Sequence, residues 1–155
     1  MPNHTGWDHT WLKTNPEFYA KNAKGEITDP LNDDGTSKGW GDVAQLDYTN
    51  NLLQETMIED MLYWVEKENI DGFRCDHVEP IPISFWKKAI PQLRKNKNLF
   101  MLAESDNVNF LKDNLFDMGY GWKAHHLMNE IAKGRKSVKD WDDLMVRLSN
   151  DFDDD

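Results

Sequence analysis

The sequence predicts an α/β fold of parallel strands alternating with helices, a partial (β/α)8 barrel. Two apolar runs, residues 70–76 and 99–104, have strand character, and a helical segment stands between them. Strand, helix and strand in that order is the rhythm of a parallel sheet. An eight-stranded barrel takes about 250 residues, whereas the 155 residues here hold roughly three or four such units. A small open α/β sheet is the other arrangement this rhythm allows.

Two regions follow from the pattern, residues 1–48 and residues 49–155. The first carries few apolar runs and many turn signals: Asn15-Pro16, Lys24-Gly25, Asp29-Pro30, Asp34-Gly35 and Gly39-Trp40-Gly41. A small hairpin is predicted over residues 17–27, turning at residues 22–25. The remainder reads as a long excursion over a surface, the kind of loop that tends to carry function.

From residue 50 the pattern changes. Asn50 is a good N-cap, and Leu53, Met57, Ile58, Met61, Leu62 and Val65 recur at helical spacing to about Asn69. Residues 70–76 follow as a short strand. Ser84 is read as the cap of a second helix reaching about Lys95, with Pro91 bending or dividing it. Residues 99–104 form the next strand, apolar enough to be buried on both faces. A weaker strand is predicted over residues 115–119, then a helix from about Lys123 that closes at Gly134. A last amphipathic segment uses Val138, Trp141, Leu144, Met145 and Leu148, and the acidic residues 151–155 are expected in solvent.

Composition narrows the function classes. Eighteen Lys and Arg against 28 Asp and Glu leave a net charge of −10, which argues against a nucleic-acid partner. No apolar run is long enough for a membrane-spanning helix. Cys75 is the single cysteine, so neither an internal disulfide nor a Cys-rich metal site is expected. Seven Trp read first as core filler, although carbohydrate sites use the same side chain as a platform against sugar C–H faces. The opening residues lack the charged, apolar and small-residue pattern of a signal peptide and read as the middle of a loop.

The strongest chemical signal is a pair of acids. Alternate residues of a strand share a face, so Arg74 and Asp76 point one way and Phe73 and Cys75 the other. Phe100, Leu102 and Glu104 likewise share a face. Asp76 and Glu104 each end an apolar run, 28 positions apart, which in a parallel barrel sets them side by side at the C-terminal mouth. Two such carboxylates suit a retaining glycosidase, one attacking the anomeric carbon and the other protonating the leaving oxygen. Arg74 is placed to keep Asp76 ionised. Partial burial and the negative Asp76 are expected to keep Glu104 protonated. A structural Arg–carboxylate pair is the plain alternative. A Mg²⁺ site of the enolase type is another, with Asp117 as third ligand, but no Lys stands at a strand end to serve as its base.

These residues resemble the α-amylase family of glycoside hydrolases, over essentially the whole chain. Gly72-Phe73-Arg74-Cys75-Asp76 is similar to the family's nucleophile motif and Leu102-Ala103-Glu104 to its acid/base motif. Asn3-His4 resembles the close of its first motif. Gly41-Asp42-Val43-Ala44-Gln45-Leu46-Asp47-Tyr48 resembles the short motif of the small domain inserted after the third barrel strand. The resemblance implies a piece running from the end of strand 3, through the inserted loop domain in residues 1–48, to the helix after strand 6.

It also implies roles. Asp76 is the nucleophile, Glu104 the general acid/base and Arg74 the residue that orients Asp76. His4 hydrogen-bonds the sugar at the cleavage point; Trp7 and Glu79, which the family motifs do not cover, are further candidates for substrate contact. Asn3 and Asp47 match positions that hold a structural Ca²⁺. The implied partner is an α-glucan oligosaccharide or polysaccharide, and the implied location is secreted or periplasmic. The residues resembling an EF-hand at 32–35 fail that frame, because Pro30 and Gly41 stand at its first and twelfth positions.

Departures from the family leave alternatives open. Glu79 and Pro80 stand where many α-amylases carry Lys-His, so transglycosylation or phosphorolysis of α-glucosides remains beside hydrolysis. The family's third catalytic Asp has no counterpart, and the 155-residue chain is expected to be inactive by itself. A non-catalytic carbohydrate-binding remnant, with Trp7, Trp11, Trp40 or Trp122 as stacking surfaces, is the reading outside enzymes. His77 is expected to face away from the cleft.

Overall fold

The structure is a computed structural model that describes residues 3–32 and 34–153. Asp33 of the rejected calcium loop and the terminal Asp154 and Asp155 lie outside the described residues. Strand β1 (His4–Gly6) pairs antiparallel with β2 (Val43–Gln45), with Thr5 opposite Ala44. Between them come a short helix α1 (Trp11–Thr14) and a tight 3₁₀ turn at Pro16–Phe18. Lys21 and Ile27 then bridge across the predicted turn at residues 22–25. Its geometry comes from Asn22, whose side-chain oxygen accepts from the amides of Lys24 and Glu26 while Gly25 takes a positive φ of 80°.

Helix α2 (Asn51–Glu66) starts where expected. The Asn50 side chain accepts from the amides of Leu52 and Leu53, and its own amide nitrogen donates to the Glu17 carbonyl. Leu53, Met57, Ile58, Met61 and Val65 form its buried stripe. Strand β3 (Gly72–Cys75) and strand β4 (Phe100–Ala103) pair in parallel, with Arg74 opposite Leu102 and Cys75 opposite Ala103. The crossover is helix α3 (Ile83–Leu93), which buries Phe85, Trp86, Ala89, Ile90 and Leu93. Its cap is Pro82 rather than Ser84, because the chain enters the helix two residues earlier on a fixed φ of −57°. Pro91 does not divide the helix: it sits near the C-terminal end, where the lost amide costs one bond at most.

One hydrophobic core joins the loop-rich region to the βα units, with Phe18, Tyr19, Leu46 and Tyr48 in the same cluster as Phe85, Trp86 and Met101. Tyr48 meets Phe85 edge-on at 4.7 Å between ring centroids. Tryptophan as core filler holds for Trp86, which is fully buried, whereas Trp7, Trp40, Trp64 and Trp122 are exposed.

Two strand expectations are corrected. Residues 99–104 are buried on one face only: Met101 and Ala103 are covered, while Phe100 is 48% exposed. On the face that Phe100 shares with Arg74, Tyr120 meets the Arg74 guanidinium while Phe100 stays exposed. The strand predicted over residues 115–119 contracts to a single parallel bridge between Leu102 and Met118. The Asp117 carboxylate takes the Met101 amide at 2.7 Å, so a side chain stands where the next ladder carbonyl would be and the pairing stops.

Downstream, α4 (Trp122–Ala132) ends before Gly134, which takes φ 71°, and α5 (Val138–Asp153) follows with Leu144 buried.

Candidate active site

The parallel register sets the two acids together. Glu104 and Asp76 follow β4 and β3 directly, and the Glu104 amide donates to the Cys75 carbonyl at 3.0 Å, continuing the ladder. Close approach of the strands requires Gly72, since a Cβ there would lie 2.0 Å from the Phe100 carbonyl oxygen. Arg74 projects from the open face and forks between the acids. Its Nη1 pairs with Asp76 Oδ1, and its Nη2 lies 2.6 Å from Glu104 Oε1. The other Glu104 oxygen accepts from the His77 amide at 2.8 Å.

Electrostatics follow from this geometry. Burial pushes the Asp76 carboxyl up, but the hydrogen bond and charge of Arg74, a hydrogen bond with Glu104 and the neighbouring His4 outweigh it. Asp76 therefore lies below the usual carboxylate range. Burial lowers His4, against the pull of the Asp76 charge, so its imidazole tends to the neutral form. The Cys75 thiol, buried behind the pair, is pushed up to about 12 by desolvation and has no thiolate to offer near neutrality.

The other predicted positions divide. His4 joins the acids through its interaction with Asp76 and packs edge-on to Trp40 at 6.5 Å. Glu79 accepts from the Ser105 hydroxyl at 2.8 Å, so it ties the loop after β3 to the residue following Glu104. Trp7 is 43% exposed, and its indole nitrogen donates to the Gly41 carbonyl. That contact holds the loop that carries Trp40. Asn3 is fully buried and donates to the carbonyls of Asp76 and His77 at 2.6 and 3.0 Å. Asp47 turns its carboxylate to the backbone and hydroxyl of Thr49. Asn3 Oδ1 is buried without a partner, but this single free oxygen and the engaged Asp47 do not fit the six to eight oxygens that Ca²⁺ takes. Asp117 is no third metal ligand either, since it pairs with Arg94 at 2.6 Å and the Met101 amide.

Two groups at the site escaped sequence reasoning. His77 adopts a left-handed φ of 43°, which aims its amide at Glu104, and its ring packs on Trp40 at 5.1 Å. Its backbone thus works inside the cleft, while strand alternation speaks only about side chains. Tyr120 accepts from Arg74 Nε at 3.4 Å and lies with its ring 5.9 Å from the guanidinium carbon. The aromatic run from Tyr120 to Trp122 was visible in the sequence, but its distance from residue 74 hid the contact.

A parallel βαβ unit thus presents two carboxylates, bridged by one arginine, at adjacent strand ends. No protein-family model matches the chain. A maltogenic α-amylase of Bacillus acidopullulyticus is 28% identical over 104 residues, 64% of this chain and 18% of that protein. Among solved structures, a noncanonic maltogenic α-amylase from Thermotoga neapolitana superposes with a TM-score of 0.82 at 29% identity, covering 97% of this chain and 33% of the other. An α-amylase from Lactobacillus plantarum gives 0.80 at 28% identity, over 96% and 37%. The chain is a relative of the α-amylase family of glycoside hydrolases and spans about a third of the length of these structures.

Proposed function

We propose that these residues supply the nucleophile and the acid/base of a retaining α-glucan hydrolase that cleaves α-1,4-glucosidic bonds. The observation that carries this reading is the Arg74 fork, which brings Asp76 and Glu104 onto one guanidinium. Carboxyl groups so close favour direct attack over a mechanism that needs a water between them. Glu104 gives its proton to the glycosidic oxygen as Asp76 attacks the anomeric carbon, the leaving sugar departs, and a glycosyl ester forms. Glu104, now ionised, takes a proton from water. The resulting hydroxide attacks the same carbon and frees Asp76, so configuration is retained. Neutral His4 hydrogen-bonds the sugar beside Asp76.

In this reading the chain runs from the end of the third barrel strand to the helix after the sixth, and the third carboxylate comes from elsewhere in the complete enzyme. Starch and maltooligosaccharides are the substrates. The test is Asp76→Asn and Glu104→Gln in the complete protein, with maltooligosaccharide hydrolysis followed by release of reducing sugar. Each is expected to lower kcat on the order of 10²–10⁴-fold or more. Near-normal kcat in either variant would overturn the assignment. The anomer released first, read by NMR, is expected to be α.

A further inference from the structure

Arg74 poses a problem that its two carboxylates do not solve. It stands on the open face of β3 with its side chain 40% exposed, and a free arginine has many rotamers to choose among. A guanidinium can meet acids through either of its edges, and only one leaves both Nη atoms for Asp76 and Glu104. Tyr120 makes that choice, because its hydroxyl accepts from Nε and its ring lies near Cζ.

Tyr120 is itself fixed at the backbone. Its amide donates to the Ser105 carbonyl at 2.8 Å, directly after Glu104. Gly119 permits this approach, since a Cβ there would stand 2.9 Å from the same carbonyl oxygen. The Tyr120 ring also packs against Trp122 at 5.5 Å. The contacts close a circuit from Glu104 through Ser105, Tyr120 and Arg74 back to Glu104, with Asp76 on the second prong of the fork.

We propose that Tyr120 is a positioning residue, which orients the Arg74 guanidinium so that its two terminal nitrogens hold the nucleophile and the acid/base in register. The proposal rests on the hydrolase reading above, and the experiment separates the two. In the complete protein, Tyr120→Phe keeps the ring and removes the acceptor. It is expected to lower kcat on the order of tenfold to a hundredfold and leave KM for maltotriose within about twofold, because the loss falls on alignment rather than on sugar contacts. The ¹Hε–¹⁵Nε resonance of Arg74, assigned by its disappearance in Arg74→Lys, is expected to shift and exchange faster with water.

Gly119→Ala leaves the phenol intact but displaces its backbone anchor, and it is expected to lower kcat in the same way. It decides the matter should Tyr120→Phe fail to fold. An unchanged kcat, or a lowered kcat with an unchanged Arg74 resonance, would overturn the positioning role. If the Arg74 resonance shifts while the parent protein cleaves no maltooligosaccharide, the contact stands, and the hydrolase reading falls along with the catalytic purpose given to it.

Discussion

At the scale of single residues, Arg74 sets how the pair responds to pH. Asp76 lies below the usual carboxylate range because the Arg74 hydrogen bond and charge overcome burial. A depressed carboxylate contributes stability that is present above its unfolded value, about 3.9, and is lost as pH falls through the lower folded value. The acid limb of kcat/KM is therefore expected below the ordinary carboxylate range. Arg74→Lys removes the fork but keeps the charge, and the limb is expected to move up. A pH–rate profile of both proteins checks this, and an unmoved limb would mean that Arg74 does not govern Asp76. The acids and Arg74 were legible in the sequence because strand alternation and parallel register decide their positions with no long-range information. His77 was not, because its part is played by a backbone amide in a left-handed conformation. Asp117, weighed only as a third metal ligand in the Mg²⁺ alternative, is instead held by Arg94 at the end of α3, a partner that spacing along the chain does not show.

At the scale of elements, two local features hold the strand ends in place. Gly72 lets β3 and β4 close, and a Cβ would meet the Phe100 backbone rather than a yielding side chain. Gly72→Ala is expected to destabilise by about 1–3 kcal/mol and to lower kcat as well, since the displaced ladder carries both acids. Asn50→Ala is the contrasting case. It removes the two capping bonds of α2 and the tie to Glu17, and is expected to cost about 1 kcal/mol, or roughly 2–4 °C in Tm, with kcat unchanged. Thermal melts and kinetics on the two variants separate a cap from a site support. The helices were readable because their apolar stripes repeat on a 3.6 period. The segment after β4 was not, because Asp117 and the positive φ of Asp113 and Asn114 break the strand pattern from within. For the same reason Tyr120, carried on that broken segment, went unseen.

At the scale of the molecule, the βα rhythm gave the fold class, and the unfinished surfaces give its consequence. Among the described residues β3 pairs only with β4, so one strand edge is open, and the face beside it bears Phe100 at 48% exposure. Beyond β4, Met118 is 54% exposed. Open edges and uncovered apolar residues promote association between chains. The 155-residue chain on its own is therefore expected to self-associate at roughly 10–100 µM, within the range where exposed apolar surface and unpaired edges cause aggregation, and to bind a hydrophobic dye such as ANS. Turnover is expected to be absent as well, because the proposed reading draws a third carboxylate from elsewhere in the complete enzyme. Light scattering after gel filtration and reducing-sugar release from starch check the two halves separately. A monomer that ignores the dye would show that the open face is stable in water, and measurable starch hydrolysis would show that Asp76, Glu104 and Arg74 suffice for the reaction.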